Sequence, residues 1–199
     1  MEKLPVVEMF NSIQGEGIHT GKPAFFIRLG GCDVCCTWCD EKIAWDASLF
    51  PLISVDEIVQ KVLDSGANTA VITGGEPFRY DLQELTERLA KNHIACMAET
   101  SGTGKITGQW SWITISPKAQ QHPLPENYQY ANELKVVIQK EQDFLWAEKN
   151  ASEVQSHVVL YLQPEWSRFR EILPHIIRYI KDNPKWRLSV QVHKFLNIP

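Results

Sequence analysis

The chain has 199 residues, of which 44% are apolar and 22% charged, and a formal net charge of −4. This is the make-up of an ordinary globular protein able to bury a sizeable core, and one domain is expected over residues 1–199. A small negative charge argues against a large nucleic-acid footprint, which needs a basic surface, and no apolar run approaches the ~20 residues that span a bilayer. No secretory signal is evident and the cysteines are tightly clustered, so a cytoplasmic protein is expected rather than a disulfide-stapled one.

In chain order, the pattern predicts a short strand over 6–10, a turn-rich loop over 11–17, and an apolar strand over 23–29 that Arg28 interrupts. Ser54 and Glu57 form a capping box opening a helix with Val55, Ile58, Val59, Val62 and Leu63 on one face, and Gly66 stops it. A strand over 69–73 runs into Gly74-Gly75-Glu76-Pro77, and Asp81 with Glu84 starts a second helix carrying Leu82, Leu85 and Leu89 inward. Further strands are expected over 94–99, 112–116, 133–138 (interrupted by Lys135), 158–163 and 186–193, with helices over 142–150 and 167–183. In the last helix Ile172, Leu173, Ile176, Ile177 and Ile180 are expected on the core side, with Pro174 either kinking it or starting its stronger half.

Alternating strands and helices imply an α/β fold with a mainly parallel sheet and right-handed crossovers. The unusual residues share a place in it. The cysteine loop, Gly74-Gly75, Glu99, Ser116-Pro117-Lys118, Gln163 and His193 all fall at expected strand C-terminal ends, the edge that carries the active site in barrel-like sheets. An open, incomplete (βα) barrel accounts for this.

Four of the five cysteines lie between Cys32 and Cys39. Cys32, Cys36 and Cys39 are spaced C-x3-C-x2-C, and three such thiolates can hold three corners of a 4Fe-4S cluster, leaving the fourth iron open to a small molecule. With Cys35 the loop also reads as two abutting C-x2-C pairs. A zinc site normally separates its pairs by a long spacer, so the iron–sulfur reading is favoured. Cys96, in a strand-like apolar run, reads as a buried small hydrophobe.

That spacing, with Trp38 just before the last cysteine, resembles the radical S-adenosylmethionine enzymes, and Thr73-Gly74-Gly75-Glu76-Pro77 matches their second motif. Also in order are Ile13-Gln14-Gly15-Glu16-Gly17, Glu99-Thr100-Ser101-Gly102, Ser116-Pro117-Lys118, Glu133-Leu134-Lys135-Val136-Val137 and the Gln191-to-Pro199 ending. Together they resemble the 7-carboxy-7-deazaguanine synthase family, from the first strand to the last residue. The resemblance implies a ring-contracting lyase that turns 6-carboxy-5,6,7,8-tetrahydropterin into 7-carboxy-7-deazaguanine with loss of ammonia, in queuosine and 7-deazapurine biosynthesis. It also implies a 4Fe-4S cluster, S-adenosylmethionine, Mg2+, a homodimer, and an electron donor such as flavodoxin or ferredoxin.

Carried over by motif, Cys32, Cys36 and Cys39 would hold the cluster. Trp38, Cys39, Asp40, Gly75, Glu99, Ser116, Pro117, Lys118 and Gln163 would meet S-adenosylmethionine. Ile13, Gln14, Gly15, Arg28, Thr73 and the Pro199 carboxylate would hold the pterin, Arg28 binding the substrate carboxylate. One position departs from the family, which usually has threonine after Cys-Asp as a magnesium ligand; here it is Glu41, also a hard oxygen donor. The alternative enzyme reading is a glycyl-radical-enzyme activase, which shares the cysteine spacing.

Overall fold

The computed structural model describes residues 2–199. Its strands and helices are β1 (Lys3–Ile13), β2 (Pro23–Leu29), β3 (Leu52–Ser54), α1 (Val55–Asp64), β4 (Thr69–Gly74), α2 (Gln83–Lys91), β5 (Ala95–Thr100), β6 (Trp112–Ile115), β7 (Glu133–Ile138), α3 (Asp143–Ala151), β8 (Val159–Pro164), α4 (Phe169–Asp182), β9 (Trp186–Leu188) and α5 (Val192–Leu196). Among the described residues these strands make one sheet of nine, ordered β3-β1-β2-β4-β5-β6-β7-β8-β9. From β2 to β9 every pairing is parallel, while β1 runs antiparallel to both β2 and β3. The edge strands β3 and β9 do not pair, so the barrel stays open, as expected.

The period of two along each strand separates two environments. In β7, Leu134, Val136 and Ile138 join the apolar core, whereas Lys135 and Val137 line a cavity on the other face. The same division places Phe25, Ile27 and Leu29 of β2, and Cys96 and Ala98 of β5, in the core, and Phe26, Arg28 and Glu99 on the cavity. The core lies where α1, α2, α3 and α4 meet the sheet, through Ile58 and Val62, Leu85 and Leu89, Phe144 and Ala147, and Ile172 and Ile176. Each such fully buried aliphatic side chain contributes about 1.5–3 kcal/mol.

Three expectations need correction. β1 continues through Ile13, since residues expected in a loop pair with β2 as far as Ile13↔Pro23. The crossovers from β5 to β6 and from β6 to β7, where no helix was expected, contain only loops and a 3-10 turn at Pro125–Tyr130. Asn127 ties that turn down by donating from Nδ2 to the carbonyls of Gly102 and Gly104, at 2.7 Å each, and the Tyr128 hydroxyl donates to Asn150 at 2.6 Å. The last strand ends at Leu188, and His193 sits in α5 rather than at a strand end. There the buried polar side chains Ser189 and Gln191 draw the chain off the sheet edge to partners elsewhere. Finally, Ile177 is 43% exposed: the buried stripe of α4 is narrower than its periodicity suggests, and the helix continues through Pro174.

Candidate active site

The cavity on the inner face of the sheet has a volume of about 920 Å3 and is lined by residues of every segment from β1 to α5 that bears a motif. Its upper wall is the loop after β2. Gly31 N–H donates to Ala44 O at 2.7 Å, Cys32 N–H to Trp45 O at 3.0 Å and Cys39 N–H to Cys36 O at 2.9 Å, which fold the loop into a tight arc. Cys32, Cys36 and Cys39 face the cavity and Cys35 does not. All five cysteines are free thiols. Burial raises the pKa of the Cys32 and Cys36 thiols, a rise that the nearby backbone of Val34 and Cys35 opposes at Cys32 and the Lys118 charge opposes at Cys36.

The Gly74–Gly75 turn is stitched to this loop. Gly75 N–H donates to Leu29 O at 2.9 Å and Glu76 N–H to Gly31 O at 2.8 Å. A Cβ at Gly75 would lie 2.2 Å from Gly31 O and 2.8 Å from the Cys32 Cβ. Glycine is therefore required at position 75 by the cysteine loop itself. The Glu76 side chain, buried, ties the turn to the next strand end by accepting from Thr100 Oγ1 at 2.6 Å, Ser101 N–H at 2.7 Å and Phe78 N–H at 3.1 Å. Burial raises its pKa and these donors oppose that rise.

Lys118 donates to Ser116 Oγ at 2.8 Å and holds its ammonium 5.6 Å from the Trp38 ring centroid. Its charge is desolvated, which lowers its pKa. The Trp38 Nε1 is buried with no hydrogen-bond partner, a donor left for a ligand.

The lower part of the cavity carries a chain of charges. Lys135 Nζ donates to Glu99 Oε2 at 2.8 Å and also to Glu16, and Gln14 Nε2 donates to Glu99 Oε1 at 3.1 Å. Burial opposes the Lys135 charge, but Glu16 and Glu99 override it and hold its pKa above the usual lysine value. Burial likewise pushes Glu16 upward, and Lys135 more than reverses this; for Glu99 burial prevails and its pKa is raised. Glu133, beneath them, accepts from Ile18 N–H at 3.0 Å, and burial pushes its pKa up to about 7.

Across the cavity Arg28 Nε lies 2.7 Å from Glu8 and 3.7 Å from Glu41. The remaining wall is the segment after β9. Val192 N–H donates to Gly15 O at 2.9 Å, Gln191 Nε2 to Asp40 at 3.0 Å, and Ser12 Oγ to the Pro199 oxygen at 2.8 Å; Lys194 pairs with Asp40. Gln163 accepts from Ser189 Oγ at 2.7 Å.

Of the site residues expected from the sequence, Ile13, Gln14, Gly15, Arg28, Cys32, Cys36, Trp38, Cys39, Asp40, Glu41, Thr73, Gly75, Glu99, Ser116, Lys118, Gln163 and Pro199 all line this one cavity, and Pro117 does not. Sequence reasoning gave no role to Glu8, Glu16, Glu76 or Lys194. Lys135 had left a signal, a cation in an otherwise apolar strand.

The donor set fits an iron–sulfur cluster: three free thiols face one cavity. A backbone N–H, that of Glu41, donates to the Cys39 sulfur at 3.4 Å. Among the described residues no three His, Cys, Asp or Glu side chains gather round one point as ligands of a single ion would.

A family model described as a 4Fe-4S single cluster domain matches residues 13–144. The fold matches the crystal structure of QueE from Escherichia coli with a TM-score of 0.86 at 32% identity, over 96% of this chain and 95% of that one. Open barrel, thiol loop and matching model define an iron–sulfur barrel protein of the radical S-adenosylmethionine class. Among curated relatives, the 7-carboxy-7-deazaguanine synthase of Flavobacterium psychrophilum is 48% identical over 100% of this chain and 94% of its own length. That of Synechocystis sp. is 45% identical over 98% and 93%, and that of Escherichia coli 36% over 98% and 98%. The chain belongs to the 7-carboxy-7-deazaguanine synthase family.

Proposed function

We infer that this chain converts 6-carboxy-5,6,7,8-tetrahydropterin to 7-carboxy-7-deazaguanine with release of ammonia. The observation that carries the reading is one cavity bounded on one side by three free thiols and on the other by Arg28, Gln14 and the Glu99–Lys135 pair. Cys32, Cys36 and Cys39 would hold the 4Fe-4S cluster. When bound, the cluster and S-adenosylmethionine supply an electron and a hydrogen-abstracting radical.

The chain's own residues bind and orient. Trp38, Asp40, Gly75, Glu99, Ser116, Lys118 and Gln163 are proposed for S-adenosylmethionine, whose carboxylate suits the desolvated Lys118 ammonium. Ile13, Gln14, Gly15, Thr73 and the Pro199 carboxyl group are proposed for the pterin, whose amidine-like edge offers donors to amide and carboxylate oxygens. Arg28 would exchange Glu8 for the substrate carboxylate, a bidentate partner of the same charge. Glu41, held by Arg28 only at 3.7 Å, is a carboxylate available to Mg2+. Lys135 locks Glu16 and Glu99 in place, and Glu99, its pKa raised by burial, can hold a proton at the cavity wall.

One domain over residues 1–199, a cytoplasmic location, a homodimer and a flavodoxin- or ferredoxin-like electron donor complete the reading. Among the described residues no helix is long and apolar enough to cross a membrane. The names of the relatives favour the synthase over the activase. The test is anaerobic: iron-reconstituted, reduced protein is given S-adenosylmethionine and the carboxypterin. A product lighter than the substrate by one ammonia is expected, and none forming would overturn the reading. Arg28→Ala should raise KM for the pterin by roughly 100-fold, the scale of one lost charge-assisted bidentate contact.

A further inference from the structure

Four cysteines share eight residues, and the proposed chemistry uses three. The fourth, Cys35, is exposed and lies outside the cavity wall. Its backbone is left-handed, φ 49°, a conformation that side-chain-bearing residues adopt at a cost. That geometry folds Cys35 back on Cys32: its Sγ donates to the Cys32 carbonyl at 3.3 Å. The two residues are thus in contact across a C-x2-C turn, a spacing that recurs in thiol–disulfide pairs. Neighbouring Cys36 is buried and turned the other way, to the cavity.

We propose that Cys35 is a site of reversible oxidation that closes a disulfide with Cys32 whenever the loop holds no iron. The oxidant class is a low-molecular-weight disulfide such as glutathione disulfide. The exposed Cys35 thiolate attacks one sulfur of the oxidant, forming a mixed disulfide and releasing one thiolate. The Cys32 thiolate then attacks Cys35 Sγ, closing the Cys32–Cys35 bond and expelling the second. The protein gives up two electrons and two protons, and the oxidant leaves as two thiols. The pair keeps the ligand sulfur in a recoverable state, away from irreversible over-oxidation. It rests on the functional reading only in that iron, once bound, occupies Cys32.

The experiment uses the full chain, iron-free and iron-loaded, exposed anaerobically to stoichiometric glutathione disulfide, alkylated and digested. Fragmentation of the peptide spanning 29–42 then locates the sulfurs that escaped alkylation. In iron-free protein, a loss of about 2 Da with Cys32 and Cys35 protected is expected, and iron uptake should fall at least tenfold until a dithiol is added. Iron-loaded protein should instead carry a mixed disulfide on Cys35 without the crosslink, and Cys35→Ser should take up iron normally after the same exposure. Protection of Cys36 with Cys39, crosslinking of the Cys35→Ser chain at the wild-type rate, or a wild-type peptide left fully alkylated would each overturn the proposal. Failure of the synthase assay leaves these readouts unchanged, since they report sulfur connectivity and iron content.

Discussion

Lys135 holds its ammonium 2.8 Å from the Glu99 carboxylate on the inner wall of the sheet, with only 6% of the lysine side chain exposed. A buried charge is tolerated there because Glu16 and Glu99 flank it, so removing it leaves two carboxylates uncompensated. Lys135→Met should cost about 3–5 kcal/mol of stability, read as a lower urea midpoint. An unchanged midpoint would mean that the two acids do not depend on the cation.

Glu133 gives a pH dependence of defined sign. Burial raises its folded pKa from 4.5 to about 7, so between those values the folded chain keeps a proton that the unfolded chain has lost. Its contribution is present below pH 4.5 and disappears as pH rises through about 7, on the order of 3 kcal/mol in all. Glu133→Gln stays neutral and keeps an acceptor for Ile18 N–H. It should match wild type near pH 4 and exceed it in stability at pH 8, and urea titrations at the two pH values make the comparison.

Gly75→Ala should separate folding from cluster loading. The new methyl, 2.2 Å from Gly31 O, must push the cysteine loop away from the turn, while the helices and the outer face of the sheet are untouched. The circular dichroism spectrum should persist, and iron bound after reconstitution should fall severalfold. Full iron occupancy would show that the loop can give way without cost to its ligands.

Asp40→Asn should loosen the last segment rather than the whole fold. The carboxylate is 57% exposed, so its pair with Lys194 is worth at most ~1 kcal/mol and is weakened by salt. Hydrogen exchange across 189–199 should quicken in the variant, and in wild type at high salt, with the global unfolding midpoint nearly constant. Equal exchange in both would place the anchoring elsewhere, at Gly15 and Ser12.

Much of the site was legible because it depends on local chemistry. Cysteine spacing, a glycine pair after a strand, and single polar residues breaking apolar strands all mark where a wall turns from core to cavity. Arg28, Glu99 and Gln163, all on the cavity wall, were marked in this way, and Thr73 only through the motif resemblance. What stayed hidden depends on pairing at a distance. β1 is extended because β2 lies beside it, and the run after Leu188 leaves the sheet because Gln191 and Ser189 find partners more than twenty residues away. The anchoring of the crossovers around β6 by Asn127 and Tyr128 was equally hidden, since such loops carry no periodic signature. Gly75 was assigned to the right motif for an incomplete reason, because its nearest obligate neighbour, Gly31, is a residue of another loop.

The segment from Ser189 to Pro199 reaches Gly17, Gly15, Asp40 and Ser12, all in the first quarter of the chain. Order of synthesis therefore matters. A ribosome that has just delivered β9 has made every strand, yet the chamber still lacks a side until the following residues clear the exit tunnel and fold back over it. Metal delivered before that segment has folded back would meet a half-walled vessel open to water, and afterwards a sheltered one.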